Sequence, residues 1–491
     1  MDTLSLLRAA LAGASDPALL AKAATFTQPS SATTGLQDYD LSPAVLNLYP
    51  VLTPLRNSIP RVGGGKSIQA NWKAVTSINP TGVRVGVSEG HRGSLISVTT
   101  KDYLASYRTL GTEAAVTDEA ELAAADFDDV RARAANSGLQ VLMLGEEKIL
   151  LGGNTSGNLG ITPTPVLTSS PTGGSLPATT TLSIVCVALT FEGRAYSSVA
   201  TGITAQVNRT TVDGFNESFG GGVAQRSASA TIGTSPSSTN AITATTPAVR
   251  GAYSYGWYGG APGAEALFAI TYMNQVVMTS MPSGTQLAAS LPNVDYSTNA
   301  LVHDGLLTMA GVASNGAGYL VASPGAGLTA DGNGGIVEFD TILQDYWDRL
   351  KLAPTRIMVS SQEMLWIRRK ILSGTGASNS RFTFQVQQGQ IVGGGQLKGY
   401  MNSFAVAGGP PEIPISIHPD MPPGTVLFLT DTLPYALNNI NNVLQVRTRR
   451  DYFQTEWPRR TRAYEYGVYT DQVLQNFFMP GMYVLTNLSP S

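Results

Sequence analysis

The sequence predicts an α+β fold that carries an inserted all-β unit. A helical pattern of apolar residues runs from Thr117 to Leu151, and strand-like alternation occurs on either side of it, in residues 66–110 and 441–491. Between residues 162 and 291 the chain turns to Thr, Ser, Gly and Pro, with few charges and almost no helical pattern. These three observations predict a framework of helices and strands that is interrupted by a separate β unit.

The composition favours a large protein with a neutral surface. A chain of 491 residues exceeds what one hydrophobic core usually holds, so about three domains are expected. Charged residues make up only 13% of the chain, against about 25% in typical soluble proteins. Such a surface suits a protein that buries much of itself against neighbours. The formal net charge of −3 argues against a protein that coats nucleic acid through bulk electrostatics.

The single cysteine, Cys186, excludes an internal disulfide framework and a Cys-rich metal site. Its apolar neighbours predict a buried strand thiol. No apolar run approaches the roughly eighteen residues of a membrane helix, and the first residues lack the continuous apolar core of a signal peptide. We therefore expect no membrane partner and synthesis in the cytoplasm.

The first 110 residues predict an arm followed by a hairpin. A short helical pattern of leucines occupies residues 1–30, and prolines between Leu41 and Arg61 break regular structure, so this stretch is expected to run extended over another surface. Ser67 to Ile78 and Ser94 to Tyr107 alternate like strands around a Gly-rich, charged turn. That pattern predicts a long β-hairpin.

The helix after the hairpin should begin at Thr117, which can cap it, because Asp118 and Glu119 would lie in its positively charged first turn. It is expected to end at Gly152, with bends where Gly138 and Gly145 interrupt the pattern.

Beyond the β unit, the pattern returns to α+β. Ile336 to Leu350 predicts an amphipathic helix, Arg356 to Ser360 a buried strand, and Gln362 to Leu372 a second helix capped near Ser360. Val443 to Leu488 predicts the final strands.

Three segments resemble ligand-binding motifs but lack a necessary part. Gly63 to Ser67 resembles the end of a P-loop, yet Pro60 stands where the first glycine belongs. Gly325 to Ala330 has the spacing of a dinucleotide fingerprint, but the Gly-rich sequence after it cannot form the required helix. Asp331 begins a calcium-loop pattern whose twelfth position is Ile342 instead of glutamate. We interpret them as a hairpin base, a mobile loop and a surface turn.

The three histidines, His91, His303 and His418, are far apart and show no metal-ligand spacing. No Gly-x-Ser-x-Gly elbow is present either. The sequence therefore predicts neither catalytic residues, nor a cofactor, nor a metal, and we expect the protein not to be an enzyme.

The C-terminal strands carry the one notable charge cluster. Interleaved aromatic residues would suit stacking on nucleic acid. Asp451, Glu456 and Glu465 lie within the cluster, however, so salt-bridged subunit contacts are the favoured interpretation and DNA contact is the alternative. The candidate subunit-interface or DNA-facing residues are Arg447, Arg449, Arg450, Arg459, Arg460 and Arg462.

The order of these parts resembles the HK97-fold major capsid proteins of tailed double-stranded DNA bacteriophages. Three segments carry the local likeness. They are Leu139 to Asn154 with the Asn/Gly-rich continuation to Ile161, Pro354 to Glu363 with its strand-then-helix step, and Pro422 to Leu429 leading into the terminal strands.

The resemblance implies a structural subunit that self-assembles as hexamers and pentamers into an icosahedral head around double-stranded DNA. The β unit departs from the minimal fold and looks like an immunoglobulin or fibronectin type III sandwich. The implied divisions begin with an N-terminal arm (1–65) and an E-loop hairpin (66–110). The P domain has two parts, residues 111–161 with the spine helix and residues 441–491 with the C-terminal strands. Between these parts lie the inserted β domain (162–291) and an A domain with an associated helix (292–440).

Partners implied by the resemblance are further copies of the chain, scaffolding and portal proteins, in some cases decoration proteins, and packaged DNA in weak, non-specific contact. The expected location is the virion, after assembly in the host bacterial cytoplasm. The E-loop would reach over a neighbouring subunit. Its candidate contact residues are Lys66, Trp72, Lys73, Arg84, Arg92 and Lys101.

Two alternatives remain open: a prokaryotic encapsulin-like nanocompartment shell that packages cargo protein, and a cell-surface adhesin built on the β unit. Part of the capsid family forms a covalent crosslink from a hairpin lysine, but no partner motif is recognisable here, and we predict no crosslink. The β unit is expected to have its own core, to lie on the outer surface and to be dispensable for assembly, because its flanking segments are linker-like.

Overall fold

The computed structural model shows a mixed α+β protein, as the sequence predicts. The described residues are 49–78, 84–125, 128–332, 334–372, 385–387, 390–392, 397–405, 410–434 and 440–490. The predicted arm as far as residue 48 and part of the predicted hairpin turn, residues 79–83, lie outside them. None of the described helices is both long and apolar enough to cross a membrane.

The chain divides into two compact units, one formed by Met1–Tyr49 with Glu119–Val130 and the other by Pro50–Asp118 with Arg131–Ser491. The second unit contains every described strand, and the contacts reported below lie within it.

A four-stranded sheet brings together the beginning and the end of the second unit. In sheet order its strands are β1 (Arg61–Val62), β21 (Leu444–Glu456), β22 (Ala463–Asn476) and β4 (Arg108–Thr117). All neighbours are antiparallel except β1, which runs parallel to β21. Helix α3 (Val130–Gly152) contacts one face, where Leu142 packs with Leu110 and Val468.

The prediction of one helix from Thr117 onward is wrong. Helix α2 spans Asp118–Ala124, and α3 begins only at Val130. Thr117 is the last residue of β4, where it pairs with Ala463. The sequence of residues 125–129 holds three Asp residues, whose side chains compete with the helical backbone for hydrogen bonds.

The predicted end of that helix is confirmed, since α3 stops at Gly152. Gly138 and Gly145, where bends were expected, both lie inside α3. The Gly138 carbonyl accepts a 3.0 Å hydrogen bond from the Thr112 hydroxyl of β4, which links α3 to the sheet.

The segment before the hairpin is not extended throughout, contrary to the prediction from its prolines. Helix α1 (Pro54–Ser58) forms one short turn there and buries Leu55 completely. Pro54 favours this turn because its fixed φ and missing N–H suit the first helical position. The chain then enters β1.

The predicted long hairpin is present. Strand β2 (Gln69–Ile78) pairs antiparallel with β3 (Val98–Ser106). At its base, a Cβ on Gly65 would lie 2.5 Å from the Tyr107 hydroxyl oxygen, so only glycine fits. The glycine-rich segment is therefore a hairpin base, as interpreted from its sequence.

The β unit consists of two sheets and a ribbon. The three-stranded sheet has the order β13 (Gln275–Met278), β10 (Ala241–Thr245), β5 (Val166–Ser170). The four-stranded sheet has the order β12 (Ala266–Thr271), β11 (Ser254–Gly260), β6 (Thr181–Leu189), β9 (Ala230–Gly233). The ribbon pairs β7 (Gln206–Thr210) with β8 (Asn216–Gly220), and a short helix, α4 (Phe191–Ala195), follows β6.

The two sheets share a core in which Ile242 of β10 meets Trp257 of β11. A second cluster, which includes Val187 and Tyr258, covers the opposite face of the four-stranded sheet. Because both of its faces are covered, β6 is apolar without alternation. Cys186 is buried there, as predicted, and burial raises the pKa of its thiol. The immunoglobulin or fibronectin likeness stays a prediction.

A six-stranded sheet forms the rest of the framework. Its order is β14 (Gly318–Val321), β23 (Tyr483–Thr486), β20 (Val426–Leu429), β15 (Arg356–Val359), β19 (Glu412–Ile417), β18 (Gly399–Met401). Helices α6 (Val337–Leu350) and α7 (Ser361–Leu372) contribute to the core on one face, and α5 (Leu306–Gly311) to the core on the other. A separate short pair joins β16 (Gln385–Gln387) to β17 (Gln390–Val392).

The sequence predicted α6, α7 and the buried strand β15 between them. The Ser360 hydroxyl caps α7 as expected, because it accepts a 3.2 Å hydrogen bond from the Gln362 amide.

The entry to the β unit and its exit lie side by side, as its linker-like edges predict. The Leu159 amide donates to the Ser297 hydroxyl at 3.0 Å, and the Gly160 amide donates to the Asp295 carboxylate at 2.8 Å.

The expectation that the β unit has a core independent of the framework is only partly correct. Phe191 and Tyr253 are buried in the same cluster as Leu151 of α3 and Leu306 of α5. The Tyr253 hydroxyl donates to the Leu307 carbonyl at 2.7 Å, and Arg250 donates to the Gly311 carbonyl at 2.8 Å. The framework therefore depends on the β unit for part of its core.

This shared core changes the expected result of removing the β unit. Replacing residues 164–290 by a Gly/Ser linker would leave cavities where Phe191 and Tyr253 pack. Each cavity should lower the free energy of unfolding by about 3–5 kcal/mol. We expect that variant to aggregate or to unfold at a lower urea concentration. Replacing only the ribbon residues 206–220 should keep the urea midpoint. A full deletion with an unchanged midpoint would contradict the shared core.

Candidate functional site

Two adjacent carboxylates near the end of α3, Glu146 and Glu147, are completely buried. A buried charge is costly unless it is paired and hydrogen-bonded. Both carboxylates meet this requirement through residues far away in the sequence. Together with these partners they form a polar hub at the meeting point of α1, α3 and the four-stranded sheet.

Glu147 holds the start of α1. Its carboxylate accepts hydrogen bonds from the Leu55 amide at 2.8 Å and the Arg56 amide at 2.7 Å. It also contacts Nε2 of the buried His418 at 2.7 Å. His418 Nδ1 accepts from the Asp420 amide, so the imidazole proton lies on Nε2 and is donated to Glu147.

Glu146 joins α3 to the four-stranded sheet. It pairs with Arg61 of β1, accepts from the Tyr452 hydroxyl of β21, and accepts from the Gln472 side-chain amide of β22 at 2.9 Å. Arg61 in turn contacts Asp451 at 2.6 Å. The hub thus ties β1, β21 and β22 to one helix.

The surroundings of Arg61 and Tyr452 keep the first residue charged and the second neutral. Burial lowers the pKa of Arg61, but the hydrogen bond to Asp451 and the charge of Glu146 outweigh it, and the pKa is raised overall. Burial, reinforced by the bond to Glu146, raises the pKa of Tyr452 to about 12. Arg61 therefore stays charged and Tyr452 stays a hydrogen-bond donor at neutral pH.

Two side chains of the hairpin β2–β3, Trp72 and Lys101, anchor it to the rest of its subunit. Trp72 stacks on Tyr103 with 5.7 Å between ring centroids and meets the edge of Phe477 at 6.1 Å. Lys101 donates to the Ser314 carbonyl at 2.7 Å. Of the predicted E-loop contacts, Trp72 and Lys101 thus hold the hairpin in place.

The other predicted E-loop contacts face solvent. Lys73 makes a long, exposed ion pair of 3.7 Å with Asp102, and Lys66, Arg84 and Arg92 are exposed. Large apolar side chains share this exposure. Leu95 is 96% exposed, Val85 83% and Ile96 72%, and Ile68, Val75, Ile78, Val87, Val98 and Leu104 are exposed as well.

The arginine cluster is divided between strand β21 and the turn before β22. Arg449 pairs with Asp471 at 2.5 Å, and Arg459 pairs with Asp118 at 3.2 Å. Arg459 also lies 3.4 Å above the ring of Tyr464. Two of the acidic residues named from the sequence pair elsewhere, Asp451 with Arg61 and Glu456 with Arg131, so the predicted salt-bridged subunit contacts stay a prediction.

The remaining arginines of the cluster occupy varied positions. Arg450 lies 3.7 Å above the Phe453 ring, the Arg462 carbonyl accepts from the Asp118 amide, Arg460 is exposed and Arg447 is half-buried. The interface or DNA-facing role of the six arginines stays a prediction.

Sequence reasoning missed the hub. His418 was considered only as a metal ligand or catalytic base, and Arg56, Arg61, Glu146 and Glu147 were not singled out. One signal was available: the two glutamates interrupt an apolar stretch that runs from Leu142 to Leu151. Within the described residues, no group of three or more His, Cys, Asp or Glu side chains can hold a metal ion.

No family model and no curated protein matches the chain. Solved structures do match along most of its length. The capsid of the native GTA particle is 9% identical over 95% of this chain and 100% of its own, with a TM-score of 0.45. The capsid of Myoviridae phage XM1 is 9% identical over 92% and 97%, with a TM-score of 0.40. The holo-SrpI encapsulin complex of Synechococcus elongatus PCC 7942 is 10% identical over 93% and 98%, with a TM-score of 0.38.

The chain is similar to capsid and encapsulin subunits. Both kinds of shell named from the sequence therefore occur among the matches. At these TM-scores the likeness carries no argument about function, which must come from the chain's own surfaces.

The hub predicts a large effect of a single substitution. Glu147→Ala removes the acceptor for the Leu55 and Arg56 amides and for the buried His418, so the free energy of unfolding should fall by about 3 kcal/mol. Urea unfolding of the unassembled subunit measures this. Glu89→Ala, at an exposed glutamate of the hairpin, is the matched control and should change it by less than about 0.5 kcal/mol. Equal effects of the two substitutions would contradict the role of the hub.

Proposed function

We propose that this chain is the structural subunit of a closed protein shell, a major capsid protein that assembles as hexamers and pentamers into an icosahedral head around double-stranded DNA. The observation that carries the proposal is the hairpin β2–β3, which Trp72 and Lys101 fix to the subunit and whose large apolar side chains the described residues of that subunit leave exposed.

So many exposed large apolar side chains on one hairpin favour association, because water-exposed apolar area is buried when subunits dock. Docking onto another copy of the chain would cover it. The anchors at Trp72 and Lys101 hold the hairpin in one orientation, which lowers the entropy lost on docking. The small share of charged residues supports the same conclusion, since neutral surfaces are readily buried between subunits.

In this proposal the protein has a structural role and no catalytic one. Scaffolding, portal and in some cases decoration proteins would be its partners, and the virion its location after assembly in the bacterial cytoplasm. The formal net charge of −3 fits DNA contact that is weak and non-specific.

Expression of the chain alone, followed by electron microscopy, tests the shell. We expect closed particles. Particles recovered from cells that produce infectious virus should contain nuclease-protected DNA. Particles that contain a cargo protein and no DNA would instead select a nanocompartment. A chain that stays monomeric under all assembly conditions would contradict the proposal.

The hairpin supplies a sharper test. Leu95→Ser with Ile96→Ser removes two exposed apolar side chains, so folding should be unaffected while particle yield falls at least about ten-fold. Val212→Ser with Phe215→Ser, at exposed apolar residues of the ribbon turn, is the matched control and should leave yield unchanged. Light scattering measures the yield, and a normal yield from the hairpin variant would contradict docking through this surface.

A further inference from the structure

Helices α6 and α7 present two different outward faces beside the six-stranded sheet. On α6, Phe339, Ile342 and Tyr346 are buried in the core of that sheet. On α7, Ile367 is buried in the same core. The opposite side of each helix faces away from this core. The outward face of α6 and the outward face of α7 differ in charge.

The outward face of α7 combines a cation with apolar anchors. Leu365 is 37% exposed, and the Arg369 guanidinium lies 4.6 Å above the half-buried Trp366 ring. Arg368 forms no ion pair within the described residues. The one acid of this helix, Glu363, is buried and accepts from the Gly424 amide at 2.7 Å. The exposed charge of α7 is therefore entirely positive.

The outward face of α6 carries the opposite charge. Glu338, Asp345 and Asp348 lie on it or at its flank, beside the exposed Val337. Asp345 contacts Arg349 at 3.2 Å, whereas the Asp348 carboxylate has no partner in the described part of the chain.

We propose that the α7 face of one copy binds the α6 face of the next copy, and that repetition of this contact closes the rings of the shell. The inference rests on the proposed function. A contact between two different faces of the same chain is heterologous and generates rings when its rotation closes. Trp and Arg are the residue types that most often dominate binding at such contacts, and opposite charges select the partner face.

Charge exchange tests the contact. Arg368→Glu with Arg369→Glu makes the α7 face acidic, and Asp345→Lys with Asp348→Lys makes the α6 face basic. Each double variant places like charges in contact, so ring and particle yield should fall at least about ten-fold. All four substitutions in one chain exchange the charges and should restore assembly. Arg368→Lys with Arg369→Lys keeps the charge and should assemble like the wild type.

Co-expression of the two double variants gives a stricter result. Every contact between unlike variants then pairs opposite charges, so an alternating ring closes with six members and fails with five. Native mass spectrometry should detect hexamers of equal composition and no pentamers. Circular dichroism and thermal melting check that each variant is folded.

Three outcomes would overturn the inference: normal assembly of either double variant, no recovery in the fourfold variant, or pentamers as abundant as hexamers in the mixture. Each of them presupposes that the wild-type chain assembles. Failure of the wild-type chain to assemble would instead contradict the proposed function.

Discussion

The buried pair Glu146 and Glu147 is the constraint on which the rest of the framework depends. Two charges in the interior are tolerated only when other groups come to them, and those groups belong to α1, β1, β21, β22 and the loop after β19. The pair therefore fixes how the chain enters the hairpin and where the long C-terminal strands lie. A purely apolar core of the same volume could be as stable, but it would lack these directional hydrogen bonds between the segments.

Much of the fold was predictable because local sequence patterns determine its elements. The caps, turns and periodicity of α6, α7 and the hairpin each lie within a few residues of what they determine. The hub could not be predicted in this way, since Glu146 and Tyr452 are 306 positions apart. The break between α2 and α3 was missed for a different reason: apolar spacing continued across the Asp-rich stretch and outweighed its poor helix propensity.

The β unit shows how linker-like edges can mislead. Its entry and exit do lie together, which the Pro and Gly residues at its edges indicated. The core that it shares with the framework contains Phe191 and Tyr253, two aromatic residues that look like ordinary sandwich core in the sequence. Only their burial beside Leu151 and Leu306 shows that the two cores are continuous.

The order of strands in the six-stranded sheet bears on the timing of synthesis. Strand β23 lies between β14 and β20, inside the sheet, although it is the last described strand of the chain. While a ribosome is still making residues 483–486, β14 and β20 have an open gap between them. Until β23 is inserted, the facing edges of β14 and β20 lack a strand partner, and such unpaired edges are prone to aggregation. Insertion of β23 therefore pairs one exposed edge of β14 and one of β20 in a single step.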